Sequence, residues 1–450
     1  MEELNLYILT SNCARNLIDI DLVAAHFFDV LPTSSPAPEL IVLSLQELAP
    51  IAYSFLGGSY LLPYFDAFIK AVKKGTAKQW KESYVNLVKD HTGMTGLMVF
   101  ARADIADRIS CIDTAHVGFG LQDMGNKGAV SARLKYVVEG PSSQAADLTF
   151  VAAHLAPMED GLAKRNLDWQ SIVERSVFSQ GQGSPRTVEG DSQTDESTSL
   201  LNDRPSTSSH TIFAPNSHLF LAGDLNYRTS DVSPLKEDAI RFPKRNADPS
   251  SPSHYSHLLQ EDQLIREMRA GRAFQGLSEA PITFPPTYKF SDAAQQAARR
   301  ALETGDSDTE WNWSSHRWPS WCDRILYLDD ALSRDTGEGA TQRTVKPVVY
   351  DALPLFPHSD HRPVALAVSV ALRPSDHMVG DANGVSETKT LAPFAIDPTW
   401  RSQRDAARRK EIVVGVLAYL GLTWEGNGMV LASVVGLVGA WVVLRSMWGM

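Results

Sequence analysis

What most limits the fold of this chain is a succession of short apolar runs, each breaking off into polar residues. Leu4 to Thr10, Leu40 to Leu45, Met94 to Ala101, Arg108 to His116, Ala129 to Val138 and Leu148 to His154 read as strands. So do His218 to Ala222, Arg324 to Leu328 and Val364 to Leu372. Helical periodicity separates only some of them, at Asp19 to Leu31, Tyr60 to Trp80, Gly161 to Phe178 and Ser256 to Ala270. Many strands therefore follow strands directly. Runs that are apolar on both faces need cover on both sides, so two sheets packed together and flanked by helices are expected.

Two stretches break this pattern. Gln180 to His210 is rich in Ser, Thr, Gly and Asp and reads as a disordered insert at about 180–210. Ser291 to Ser315 reads as a second loose insertion. The C-terminus differs again. Residues 374–411 read as a linker ending in a basic flank: Arg401, Arg404, Arg408, Arg409 and Lys410. Residues 412–450 read as a membrane anchor with apolar runs at 412–424 and 429–444. Sixteen helical residues reach about 24 Å, a little short of a ~27–30 Å hydrocarbon layer. A snorkelling Arg445 extends that reach, and the shorter run reads as re-entrant or interfacial. Basic residues before the anchor keep the preceding domain in the cytosol, with the endoplasmic reticulum the expected membrane. The sequon at Asn312 is then expected to stay unmodified. Acids near the N-terminus argue against a cleaved signal.

A net charge of −11 makes general nucleic-acid binding unfavourable, although a local basic pocket can still hold a phosphorylated ligand. Cys13, Cys111 and Cys322 are too scattered for a disulfide framework or a zinc site, and suit a reducing compartment.

The polar residues at the strand ends are Asn12, Gln46-Glu47, His154, Asp224-Leu225-Asn226 and Asp360-His361. Binding loops gather at such edges. Glu47 offers a hard oxygen ligand and Asn12 an amide carbonyl, a set suited to Mg²⁺ with substrate phosphate oxygens. Asp224 and Asn226 lie two apart, so in extended chain they share a face. One can take a proton from water while the other orients it. Asp323 is placed to fix the tautomer of His361, and Lys127 and Arg324 add positive charge. Together these groups suit attack of water on a phosphate ester. A cysteine nucleophile is excluded, because a C-x₅-R cradle is missing: Asp19, Val117 and Leu328 stand where its arginine would. Asp19-Ile20-Asp21 reads as the acidic first turn of a helix rather than as a phosphorylated aspartate motif.

The motifs LQE (45–47), GNKG (125–128), AHLAP (153–157), KRNLD (164–168), GDLNYR (223–228), FPPTYK (284–289), PSWCDRIL (319–326) and SDHRPV (359–364) occur in that order. With them the chain resembles the inositol polyphosphate 5-phosphatase family, a branch of the Mg²⁺-dependent, DNase I-like endonucleases and phosphatases. The resemblance covers roughly residues 4–372, and a catalytic domain at 1–373 is expected. It implies a four-layer α/β sandwich of two mainly antiparallel sheets flanked by helices, here with a C-terminal transmembrane segment added. It also implies Mg²⁺-dependent hydrolysis of the 5-phosphate of phosphoinositide lipids or soluble inositol polyphosphates. Carried onto this sequence, Glu47 is the principal metal ligand, with Asn12 and Asp360 near it. Asp224 and Asn226 act on the water, and His361, oriented by Asp323, contacts the scissile phosphate; either Asp224 or His361 takes the proton. His154, Asn126 and Lys127 hold phosphate oxygens, while Tyr288 and Lys289 read the 4-phosphate. Arg228 and Arg324 touch phosphate or lock loops, and Arg165 and Asn166 join the substrate-binding set.

Two other readings use the same residues. A sphingomyelinase- or nuclease-like phosphodiesterase keeps the metal site without needing Tyr288 and Lys289. A non-catalytic phosphoinositide-binding tether keeps the anchor, but does not explain an intact acid, amide and histidine set.

Overall fold

The computed structural model describes residues 2–138, 145–178, 210–214, 217–305, 311–328, 344–372 and 392–449. The insert expected at 180–210 therefore lies outside the described residues, apart from its last residue, as does all of the stretch at 374–391. Strands run as β1 (Glu3–Asn12), β2 (Leu40–Gln46), β3 (Tyr84–Thr92), β4 (Thr95–Arg102), β5 (Ile109–Gly118) and β6 (Gly128–Val137). They continue as β7 (Ala145–His154), β8 (Ser217–Asp224), β9 (Leu277–Glu279), β10 (Asp323–Leu328), β11 (Val345–Ala352) and β12 (Val364–Ala371).

They form two six-stranded sheets, ordered β11-β12-β1-β2-β4-β3 and β5-β6-β7-β8-β10-β9. Each sheet is antiparallel except for one parallel pair, β1 with β2 and β7 with β8. Neighbours in a parallel pair end on the same side. Asn12 thus stands beside Gln46, and His154 beside Asp224. The antiparallel β8–β10 register adds Asp323 directly opposite Asp224.

Alternate residues on each strand enter different cores, which is why the strands look apolar throughout. Leu6, Ile8, Val42, Phe150, Phe220 and Ile325 meet between the sheets. Tyr7, Leu43 and Phe100 face outward, against the helices α1 (Ile20–His26) and α3 (Leu62–Gln79), with the short α2 (Ile51–Leu56) between them in sequence. Val151, Leu219 and Leu221 face the other way, toward Trp169 and Ile172 of α4 (Leu162–Arg175) and, past α5 (Ser256–Leu259), Leu264 of α6 (Gln263–Arg269). One polar chain crosses the apolar centre. Thr10 Oγ1 donates to Gln46 Oε1 (3.2 Å), Gln46 Nε2 to Ser44 Oγ (2.8 Å), and Ser44 Oγ to the carbonyl of Ala222 (2.7 Å). Every buried hydroxyl and amide in it has a partner, so it links the sheets without an uncompensated polar group. Gly223 is needed for the same closeness: a Cβ there would lie 2.0 Å from the Ala153 carbonyl oxygen.

Two expectations are corrected. Residues 291–305 are not loose. They hold the helix α7 (Asp292–Thr304), N-capped by Ser291 Oγ on Ala294 N (3.3 Å) and ended by left-handed Gly305. The basic flank and first apolar run are one helix, α8 (Trp400–Leu422), so the boundary expected at 411/412 falls within it. The final helix, α9 (Trp424–Met447), begins earlier than the apolar run at 429–444. Among the described residues, α9 alone is long and apolar enough to cross a membrane, with a mean hydropathy of 2.0 and no buried share. Its 24 residues span about 36 Å.

Candidate active site

Strand ends supply most of the centre of the site, and the loop before β12 supplies His361. Asp224 closes β8 and is 2% exposed. Its Oδ2 accepts a hydrogen bond from Asn12 Nδ2 (3.0 Å), lies 3.2 Å from His154 Nε2 and stands 3.9 Å from His361 Nε2. Its Oδ1 accepts the backbone N–H of Asn226 (3.1 Å), a turn that fits the left-handed φ of 57° at Asn226. His361 Nδ1 donates to Asp323 Oδ2 (2.9 Å), which also accepts from Thr287 Oγ1 (2.7 Å). That leaves Nε2 of His361 facing Asp224. The backbone of His361 is held in turn, through Ser359 Oγ (3.1 Å), which donates to the Asn12 carbonyl (2.6 Å).

Charge separates the roles of the two histidines. Burial works against a charged His361, but the Asp323 carboxylate, then Asp224 and Asp360, outweigh it and raise the group to about 9. His361 is therefore an imidazolium at neutral pH. Burial and then the Lys127 charge push His154 down, so that histidine is neutral. Burial would raise Asp224, yet His154, His361 and Lys127 hold its carboxyl well below the usual range. Burial also pulls Lys127 down, against Asp224 and Glu47. Its ammonium touches His154 Nε2 and reaches to 4.0 Å from Glu47 Oε1.

Glu47 sits at the turn after β2 with φ 45°, and Arg15 Nε pairs with its Oε2 at 3.1 Å. The oxygens of Glu47, Asn12 and Asp224 suit a hard divalent cation. Burial pushes the thiols of the nearby Cys13 and Cys322 up, so neither offers a soft thiolate. Ligand atoms of Asp224, Asp323 and His361 also lie within 4.8 Å of one another, but the Asp323–His361 hydrogen bond already occupies two of them.

The remaining expected residues divide. Asn126 lies in the turn before β6. Its Oδ1 is buried without a partner among the described residues and rests against Gly120, where a Cβ would come within 2.1 Å. The Tyr288 ring lies 4.5 Å from that of His361, tilted by 39°, and the Arg228 guanidinium lies 4.4 Å over the Tyr288 ring. Arg228 does not face outward. It is 1% exposed and grips Asn226, through Nε on the carbonyl (3.0 Å) and Nη2 on Oδ1. Asn226 Nδ2 meanwhile donates to Leu155 O (3.1 Å). Lys289 and Asp360, expected as a phosphate reader and a metal ligand, are joined in one ion pair at 2.6 Å.

Arg165 and Asn166 pack inside the fold rather than face a ligand, and of the two roles expected for Arg324 the structure shows the salt-bridge lock. Arg324 is fully buried between Asp262 (3.0 Å) and Glu279 (2.5 Å), with no surface left for a ligand. Arg165, also fully buried, donates to the carbonyls of Ala156 (3.2 Å) and Met158 (2.6 Å) and to Gln263 Oε1 (2.6 Å). It fastens the loop after His154. Asn166 joins Tyr227 Oη (2.8 Å) to Glu267 Oε2 (2.9 Å). Sequence reasoning missed Arg15, Thr287 and Ser359 as supports. The signal for Ser359 was its place in SDHR; nothing in sequence pairs Thr287 with Asp323.

Comparison with known proteins gives the family and the fold. The model of the endonuclease/exonuclease/phosphatase family 2 matches residues 9–367. The chain is 33% identical over 279 residues to the type I inositol polyphosphate 5-phosphatase 13 of Arabidopsis thaliana, covering 60% of this chain and 22% of that protein. It is 26% identical over 332 residues to a polyphosphatidylinositol phosphatase of Saccharomyces cerevisiae, covering 73% and 23%. The chain thus spans about a quarter of the length of these relatives. In fold it is similar to the inositol polyphosphate 5-phosphatase domain of SPsynaptojanin, solved with inositol (1,4)-bisphosphate and calcium. The TM-score is 0.57 at 23% identity, over 82% of this chain and 85% of that one. The match across residues 9–367 makes this chain a member of the endonuclease/exonuclease/phosphatase family 2.

Proposed function

We propose that this chain hydrolyses the 5-phosphate of phosphoinositides such as phosphatidylinositol 4,5-bisphosphate, with Mg²⁺, by direct attack of water. The observation that carries the reading is the buried cluster in which one ionised carboxylate, Asp224, faces a histidine kept protonated by a second carboxylate, Asp323. Two groups pushed apart in this way are the signature of paired acid and base work. Asp224 takes a proton as the water oxygen bonds to phosphorus. His361 gives its Nε2 proton to the departing inositol oxygen as the P–O bond breaks. The reading takes Asp224 rather than His361 as the base, supported by a histidine whose proton is held up to about pH 9.

Around the reacting phosphate, Lys127 and the amide nitrogen of Asn126 hold non-bridging oxygens, and neutral His154 keeps the Asp224 carboxylate in place. Arg228 fixes Asn226 so that its remaining amide hydrogen orients the water. Glu47 and Asn12 would hold Mg²⁺, which supplies charge stabilisation for the phosphate oxygens when bound. Tyr288 lines the pocket beside His361, and Lys289 meets the neighbouring phosphate with the ammonium hydrogens that Asp360 leaves free.

The domain works at a membrane face on this reading. Helix α9 spans the bilayer, and the basic residues before it keep the site in the cytosol, in the endoplasmic reticulum membrane. The test is phosphate release from vesicles carrying phosphatidylinositol 4,5-bisphosphate with Mg²⁺, comparing wild type with Asp224→Ala. Loss of at least about a thousandfold is expected for removal of a group that acts in the transition state. Equal rates would sink the mechanism. Faster cleavage of sphingomyelin or DNA would move the substrate to the phosphodiester class.

A further inference from the structure

Helix α8 was expected to be part of a linker, yet it is built into the catalytic fold. Its buried positions recur every four residues: Ala407, Glu411 and Gly415. Gly415 lies on α2, where a Cβ would come 3.0 Å from Phe55 Cβ and 3.2 Å from Leu56 N. Arg408 Nη1 donates to the Phe55 carbonyl (2.7 Å) and Nη2 to that of Leu56 (3.4 Å), capping the C-terminus of α2. These contacts suffice to dock a helix. Glu411 does something else. It is 6% exposed, and its Oε1 accepts the backbone N–H of Gly125 at 2.7 Å, while Oε2 accepts from Arg408 (3.1 Å).

Gly125 opens the turn that presents Asn126 and Lys127. Its own carbonyl accepts the N–H of Met94 (2.9 Å), and the Met94 carbonyl accepts the N–H of Leu48 (3.1 Å), the residue after Glu47. One run of hydrogen bonds thus leads from Glu411, through Gly125 and Met94, to the turn that carries Glu47. The links have no slack. A Cβ on Gly93 would lie 2.2 Å from the Gly125 oxygen, and one on Gly125 would lie 2.8 Å from the Gly93 nitrogen.

We propose that Glu411 is a positioning residue: its carboxylate fixes the 125–127 turn, and through Met94 the Glu47 turn, so that α8 completes the active site. The inference rests on the reading of Lys127, Asn126 and Glu47 given above. It makes the segment before the membrane helix a part of the enzyme rather than a tether.

The test uses the full chain in detergent micelles with water-soluble inositol 1,4,5-trisphosphate, so membrane attachment plays no part. Glu411→Ala is expected to lower kcat/KM on the order of tenfold, the size of one charge-assisted hydrogen bond. Amide hydrogen exchange across residues 121–127 should quicken, with exchange in β6 and β7 unchanged. Glu411→Gln keeps a carbonyl oxygen for Gly125 N–H and should restore most of the rate. Glu411→Ala with wild-type rate and exchange overturns the proposal. So does a Gln variant as poor as Ala, or exchange that quickens everywhere alike, which would mark simple loss of stability. A wild-type chain that releases no phosphate defeats the functional reading instead, and the exchange comparison then decides the clamp by itself.

Discussion

Replacing Asp323 by Asn isolates the charge that keeps His361 protonated. Asn retains an acceptor for the Nδ1–H at 2.9 Å and for the Thr287 hydroxyl at 2.7 Å, so the packing hardly changes. Only the carboxylate charge goes. His361 stands at about 9 rather than 6.5 against the pull of burial, and Asp323 leads the groups that raise it. With the whole shift lost, the protonated fraction at pH 8 would fall from about nine tenths to about 3%, roughly thirtyfold, but by under about twofold at pH 6. Asp224 and Asp360 remain to hold part of the shift, so a loss of about three- to thirtyfold at pH 8 is expected. Initial rates of phosphate release from about pH 5.5 to 9.5 measure it. The wild-type rate should fall through about pH 9, and that of the variant one to two units lower, with the two converging near pH 6. Stability follows the same group. A histidine raised in the folded state stabilises fully below about pH 6.5, and that contribution fades as pH climbs through about 9. Wild type should lose up to roughly 3 kcal/mol across that window, and Asp323→Asn should show a flatter slope. An alkaline limb that stays in place, or an equal loss at every pH, would refute the idea that Asp323 works through the His361 proton.

Four further outcomes are expected. Arg324→Met leaves Asp262 and Glu279 buried without their cation, and should cost about 3–5 kcal/mol in urea unfolding; a cost under about 1 kcal/mol would refute its role as a structural clamp. Arg228→Lys loses the forked grip on Asn226 and should lower kcat about tenfold with little change in KM; a rise in KM alone would mean direct substrate binding. Truncation after Thr423 removes α9 and leaves α8 in place, so it should release the protein from membranes while keeping turnover of soluble inositol trisphosphate. In the full chain exposed Asn312 should show no glycosidase-sensitive mass shift; such a shift would reverse the orientation.

The sheets were legible because strands buried on both faces carry apolar side chains throughout, as Leu40–Gln46 and Ser217–Asp224 do. The missed strands are edges. Tyr84–Thr92 ends the first sheet and exposes Val85 and Lys89, and Val345–Ala352 ends it on the other side, with Pro347 at a register shift. Polar residues and proline at an edge resist pairing with other chains, and in sequence they look like loop. Helix α7 was hidden for a different reason: its buried stripe is Ala294 and Ala298, too small to register as an apolar face beside so many polar neighbours.

The candidate site was legible where register alone brings residues together. Asn12, His154, Asp224 and Asp323 each end or begin a strand, and sheet pairing leaves them few other places to be. Residue type did not tell which way a long cation points. Arg165, Arg228 and Arg324 stand in motifs beside the site, and all three turn inward, onto carbonyls, an amide and two carboxylates. A guanidinium near a phosphate pocket is worth as much holding the pocket's walls as touching its ligand, because a rigid wall needs no rearrangement as the reaction proceeds. Glu411 extends that logic farther along the chain. A carboxylate more than 280 residues from Gly125 holds its backbone, and only the four-residue recurrence of Ala407, Glu411 and Gly415 marked the face on which it would lie.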